Sequence, residues 1–157
     1  MDEHEGLRYL YFDVPHAVAT QRWVIENSEG LPGVRNVELL ESVLGHIQND
    51  LYYPEMVDKV CHLVFSVNKN HPFNDGNKRS SIALGAYFLE LNGYDYVVTR
   101  FVHEMENIAV YVADNVVSKE LLREVIASLL YEDDYSENLK LALIEAISNS
   151  QIGTIFE

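Results

Sequence analysis

The sequence predicts an all-α fold, a bundle of about seven helices with at most a small β element. Apolar residues recur at spacings of three and four along most of the chain, as on the buried face of an amphipathic helix. Capping residues stand just before several of these runs. β-prone residues gather in only two short stretches, and no repeat, low-complexity tract or long linker interrupts the pattern.

Leu7 to Phe12 is apolar and aromatic and reads as a short strand. Asp13-Val14-Pro15 opens the first helix, with Asp13 able to cap and Pro15 tolerated in the first turn. Val18, Arg22 and Ile25, with Ala17 and Trp23 nearby, carry that helix to about Asn27, where turn formers from Ser28 to Gly33 end it. Asn36 caps a second helix, whose Leu39, Leu40, Val43, Leu44 and Ile47 form one stripe. Tyr52-Tyr53-Pro54 opens a third, expected to be central, in which Met56, Val60, Leu63, Val64 and Val67 repeat at helical spacing. Ser80 to Leu91 is nearly all apolar or small, which implies burial on most sides, and Asn92-Gly93 stops it as a left-handed C-terminal position. Tyr94 to Thr99 is β-prone and can pair with Leu7 to Phe12 or form a loop. Phe101 to Val116 and Ser118 to Leu130 make two more helices, the second capped by Ser118. After an acidic connector from Tyr131 to Tyr135, Ser136 starts a last helix to Ser148, and the final residues carry no pattern.

At 157 residues the chain reads as a single domain, long enough to bury one substantial core without staples. Its one cysteine, Cys61, rules out an internal disulfide and makes a cytoplasmic location the default. Met1 to Gly6 is acidic and unlike a signal peptide, and no apolar run reaches the roughly 18 residues of a membrane span. With 25 acidic and 11 basic side chains the formal charge is -14. That charge repels nucleic-acid backbones and anionic lipid, disfavours direct binding to either, and suits a basic protein partner. Oligomeric state is not encoded in any of these features.

Against this acidic background Lys69, His71, Lys78 and Arg79 form a cationic island, which suits a small anionic ligand. The stretch His71-Pro72-Phe73-Asn74-Asp75-Gly76-Asn77-Lys78-Arg79 reads as a loop running into the N-terminus of the fourth helix. A helix N-terminus offers unpaired amides and partial positive charge to an anion. His71 is a candidate base. Asp75 is a hard oxygen ligand suited to Mg²⁺. Gly76 lets the backbone approach a ligand closely, and Asn77 offers an amide. Lys78 and Arg79 supply charge, Arg79 with a bidentate grip on phosphate. Pro72 fixes the loop and Phe73 anchors it in the core. Cys61 beside His62 does not read as a metal site, because adjacent helical positions diverge and no second cysteine exists.

These nine residues resemble the signature of the Fic/Doc (Fido) family, and specifically its death-on-curing toxin branch. Gly30-Leu31-Pro32-Gly33 before a helix, and Phe88-Leu89-Glu90-Leu91-Asn92-Gly93 after the motif, are similar to the same branch. The resemblance covers about Tyr9 to Leu130, the expected core of one Fic/Doc-like helical domain, and leaves the helix at about 136–149 as an addition. It implies that His71 takes a proton from a target hydroxyl, that Asp75 binds magnesium, and that Gly76-Asn77 forms a phosphate-cradling turn. It further implies that Arg79 holds phosphate, that Phe73 anchors the loop, and that Gly33 to Asn36 belongs to a flap that aligns the target. ATP and Mg²⁺ are the implied cofactors.

Two departures bear on the reaction. The AMP-transferring Fic pattern has glycine where this chain has Lys78, and a second arginine where it has Ile82. A lysine there crowds an α-phosphate while offering a cation to another phosphate. The death-on-curing branch shares both departures, which implies transfer of the γ-phosphate of ATP to a Thr or Ser of a protein substrate, by resemblance a translation elongation factor. Gly76 stands where the best-known member of that branch has alanine, which keeps AMP transfer open as the alternative. A non-catalytic interaction domain is the third reading, with the motif kept only as a stabilising loop. The inhibitory pattern of Fic proteins is incomplete at Ser128 to Glu132, since Asp133 follows, so control by a separate antitoxin protein is implied instead. Tyr52, Tyr53 and Tyr87 are candidates to frame a pocket.

Overall fold

The computed structural model describes residues 8–156, with side chains through residue 151. Met1 to Gly6 and Leu7, at the start of the expected strand, lie outside the described residues. Seven α-helices follow in order: α1 (Val14–Glu26), α2 (Val37–His46), α3 (Met56–Asn70), α4 (Asn77–Leu91), α5 (Val98–Ala113), α6 (Lys119–Tyr131) and α7 (Glu137–Phe156). The class is all-α as expected. Among the described residues the β content is one isolated antiparallel bridge, Val34 to Phe73.

The expected caps form. Asp13, Asn36, Ser118 and Ser136 each accept a hydrogen bond from the amide three residues on, at 3.0 to 3.2 Å, and each cap of this kind typically stabilises a helix by about 1 kcal/mol. Burial explains the rest of the architecture. α3 is the central helix: α2, α4, α5 and α6 all pack on it, and eleven of its fifteen residues are buried. Because nearly all its faces are covered, even Lys59 is fully buried. Its ammonium is compensated by the Ile47 carbonyl and the Asp50 carboxylate, each at 2.6 Å, and by the rings of Tyr9 and Tyr11.

Several boundaries and two elements differ from expectation. α3 starts at Met56 and not at Tyr52, because the Asp58 carboxylate accepts the Glu55 amide at 3.1 Å and so starts the helix there. Residues 8–13 are not a strand. The side-chain amide of Asn92 takes the place of a partner strand, accepting from the Leu10 amide at 2.7 Å and donating to the Leu10 carbonyl at 3.0 Å. Tyr94 to Thr99 is not a strand either. Gly93, at φ 83°, ends α4, with the Tyr94 amide returning to the Leu89 carbonyl. The chain then forms a 3₁₀ turn at Asp95–Val97 and enters α5 three residues early. A helical turn buries Val97 and Phe101 on one face, an advantage that outweighs β propensity with no strand to pair with. α7 extends to Phe156, beyond the expected Ser148, since no proline interrupts it. No helix among the described residues is long and apolar enough to cross a membrane.

Where α2, α3 and α6 meet, His62 is buried between His46 (Nδ1 to Nε2, 3.1 Å) and Lys119 (Nζ to Nδ1, 2.8 Å), with the Tyr53 ring against it. Burial, then the Lys119 charge, then His46, push the His62 imidazole down to about 4. A folded value below the unfolded one near 6.5 means that the unfolded chain binds the extra proton between those limits. Stability is therefore full above about pH 6.5 and declines as pH falls toward 4, by an amount on the order of 1 kcal/mol or more. Urea unfolding at pH 7.5 and pH 5 should show the lower midpoint at pH 5, with the difference reduced in His62→Gln. Cys61 beside it is buried, and burial pushes its thiol up to about 12, as befits a core residue.

Candidate active site

The nine-residue motif joins the two best-buried helices, α3 and α4, at one end of the bundle. Phe73 is buried as the sequence suggests, and the Asn77 carboxamide closes the loop around it, accepting from the Phe73 amide at 3.0 Å and donating to the Phe73 carbonyl at 3.1 Å. This use of Asn77 was not legible in the motif. The side chain holds the loop, and the residue's backbone amide has no protein acceptor among the described residues.

His71 is the C-cap of α3 at φ 52°, ψ 60°, a left-handed conformation that a non-glycine residue adopts at a cost of roughly 1–2 kcal/mol. Its side chain is exposed. Arg35, from the α1–α2 connection, donates to the carbonyls of His71 (3.1 Å) and Asn70 (3.4 Å) and so neutralises the negative end of α3 beside the imidazole. Because the backbone is left-handed here, His71→Gly should be more stable than His71→Ala by about 1 kcal/mol. Thermal melting of the two variants checks this.

Gly76 caps α4 at φ 69° with no side chain to satisfy the first amides. The Ser80 amide makes the first intrahelical bond, to the Gly76 carbonyl at 2.8 Å. Among the described residues no protein acceptor takes the amides of Asn77, Lys78 and Arg79. An uncapped helix start of this kind attracts phosphate. The two cations differ. Lys78 is exposed and its ammonium has no hydrogen bond or ion pair among the described residues. Arg79 is held on the α1–α2 connection, where it donates to the Ser28 hydroxyl and, at 3.0 Å, to the Glu29 carbonyl.

Asp75 faces the same connection. Its Oδ2 accepts the Leu31 amide at 2.7 Å, while Oδ1 has no partner among the described residues. Gly30 lies against it, so closely that a Cβ at that position would stand 2.9 Å from the Asp75 Cβ. The connection is further tied to the motif by the Arg35 and Asn36 amides on the Pro72 carbonyl, at 2.8 and 3.0 Å, and by the Asn74 amide on the Gly33 carbonyl, at 3.0 Å. The segment expected as a flap thus lies directly along the motif loop.

An apolar cavity of about 750 Å³ opens between α1, α4 and α5, and Arg79 stands in its lining with Trp23, Ile82 and Tyr87. Tyr87 frames this pocket, as one of three tyrosines singled out. Tyr52 is exposed and Tyr53 packs on His62, so neither belongs to it. Missed altogether was Gln21. The α1 face that is buried carries Ala17, Gln21, Val24 and Ile25, one position around from the stripe through Val18 and Arg22. A polar residue on a core spacing was the available signal.

Fold and site together define an all-helical architecture that places an exposed histidine beside a helix start whose first amides have no protein acceptor among the described residues. The model of the Fic/DOC family matches residues 11–89, half of the chain, and the chain belongs to that family. It is 38% identical over 64 residues to the Toxin Doc of Mycolicibacterium smegmatis, 38% of this chain and 49% of that protein. It is 34% identical over 68 residues to the Protein kinase doc of Escherichia phage P1, 41% of this chain and 53% of that protein. The chain spans about half the length of these curated relatives.

Proposed function

We propose that this chain is an ATP-dependent protein phosphotransferase of the death-on-curing type, acting on a Thr or Ser hydroxyl of a protein target in the cytoplasm. A translation elongation factor is the target class the resemblance implies. The observation that carries the reading is the joining of an exposed His71 to an uncapped α4 N-terminus through a loop closed by Asn77. The similarity to a phage protein named as a protein kinase supports the same reaction class.

In this reading the target oxygen attacks the γ-phosphorus, the bond from that phosphorus to the β-phosphate oxygen breaks, ADP leaves, and His71 takes the hydroxyl proton. Such transfer needs positioning and charge neutralisation more than covalent help from the protein. The amides of Gly76 and Asn77 with those of Lys78 and Arg79 line the phosphates, Lys78 supplies a mobile cation, and Arg79 turns its fork onto a phosphate. Asp75 fits magnesium of the kind that travels with a nucleotide: Mg²⁺ is commonly held by one or two carboxylates, with phosphate oxygens and water completing its shell, and Asp75 has one oxygen to give. When bound, the ion would neutralise phosphate charge.

Control by a separate antitoxin protein belongs to the same proposal. The apolar cavity between α1, α4 and α5, with Arg79 in its lining, suits an amphipathic segment whose acidic residue meets that arginine. The test of the reaction is ATP labelled at the α or the γ phosphate, incubated with the protein and a bacterial lysate. Transfer from γ is expected. Transfer from α would replace the reading by AMP transfer, for which Gly76 leaves room, and transfer from neither would leave a non-catalytic interaction domain.

A further inference from the structure

Gln21 is fully buried on α1, and its carboxamide bonds to two separate pieces of chain. Its Nε2 donates to the Leu31 carbonyl at 3.2 Å and to the Asp75 carbonyl at 3.1 Å, and its Oε1 accepts the Gly33 amide at 3.0 Å. Leu31 and Gly33 belong to the α1–α2 connection, and Asp75 to the motif loop. Asp75 is therefore held at both ends, by Gln21 at its carbonyl and by the Leu31 amide at its carboxylate.

We propose that Gln21 is a positioning residue that locks the α1–α2 connection to the motif loop, so that the flap and Asp75 keep one relative placement. A carboxamide presents two donors and an acceptor from one planar group, which is what two carbonyls and an amide require. Glutamate has the same shape but would turn a carboxylate toward the carbonyls of Leu31 and Asp75. Methionine keeps the length and offers no donor. Burial of the Gln21 side chain makes the requirement strict on its own side, because a polar group placed there must find its partners within the protein. Under the phosphotransferase reading, on which this consequence rests, the locked flap sets where a target segment lies relative to His71. Its loss should weaken target binding more than ATP binding.

The experiment uses the full chain and the variants Gln21→Glu and Gln21→Met. Backbone amide exchange by NMR reads Leu31 and Asn74, whose amides bond to Asp75 and Gly33 and not to Gln21, with Val64 and Leu89 as core reference amides. At least tenfold faster exchange at Leu31 and Asn74, with the core reference unchanged, is expected in both variants. Acceleration confined to Gly33, or shared equally by Val64 and Leu89, overturns the coupling. In the lysate assay with γ-labelled ATP, the lysate concentration at half-maximal rate should rise at least fivefold while the KM for ATP moves less than twofold. A fall in maximal rate with both constants unmoved overturns the role in target alignment. If the wild-type chain transfers no label at all, the phosphotransferase reading fails on its own, and amide exchange still decides whether Gln21 couples the two segments.

Discussion

Replacing His71 with alanine should abolish phosphate transfer from ATP while leaving ATP affinity within about twofold. A positioned base typically contributes ~10² to 10⁴ in rate, and little else in the site can take the proton. Of the other charged groups of the motif, Lys78 and Arg79 are cations with no acceptor to offer, and Asp75 is turned to the α1–α2 connection, one oxygen on the Leu31 amide and the other assigned to the ion in the proposed reaction. Nucleotide affinity should survive because the imidazole is exposed and carries no contact that shapes the phosphate site. Arg35 grips the backbone carbonyl of residue 71 and not its side chain, so the end of α3 remains held in the variant. Initial rates with γ-labelled ATP, and calorimetric titration with ATP, give the two readouts. Transfer that continues undiminished in His71→Ala would remove His71 from the mechanism.

Lys78→Gly is expected to have the next largest effect, lowering γ-phosphate transfer by about 10²-fold and producing a small transfer of α label. An ammonium close to a phosphate in a partly desolvated site interacts on the order of several kcal/mol before its own desolvation is counted. The loss of part of that corresponds to about two powers of ten in rate. Glycine would also clear the space next to the first turn of α4, where an α-phosphate can settle. The gain should stay small, because Ile82 stands where AMP-transferring relatives of the motif carry a second arginine, and Ile82 faces the apolar cavity. Lys78 has no other employment among the described residues, so the variant should fold normally. The paired label assay measures both quantities. Unchanged γ transfer would mean that Lys78 is only a solvated surface charge.

Local signals made the helices legible, because each depends on residues close in sequence: the apolar spacing of α3, the caps at Asp13, Asn36, Ser118 and Ser136, and Gly93 after α4. The motif loop and the helix start after it were legible for the same reason. What escaped depends on partners far away along the chain. The segment at 8–13 is fixed by Asn92, some eighty residues on, and a side chain standing in for a strand leaves no periodic trace. Tyr94 to Thr99 has β-type residues, but burial of Val97 and Phe101 decided its conformation. At the site, the identities of the polar residues were readable and their engagements were not. Asn77 turned inward to Phe73, Asp75 committed one oxygen to Leu31, and Gln21 answered three groups at once.

The hold on Arg79 has a thermodynamic side. Its resting acceptors, the Ser28 hydroxyl and the Glu29 carbonyl, are both uncharged. With these acceptors the guanidinium bonds are charge-assisted on the donor side alone, whereas a phosphate oxygen adds the opposite charge and accepts the fork bidentately, which makes the stronger contact. Under the phosphotransferase proposal, an arriving nucleotide would win the exchange without a large penalty. In the meantime the long side chain is kept near its point of use, its rotamer entropy already surrendered during folding and not at the moment of binding. On that proposal the α1–α2 connection is more than a cover for the motif: it would act as a rest for the arginine, surrendered when the ligand arrives.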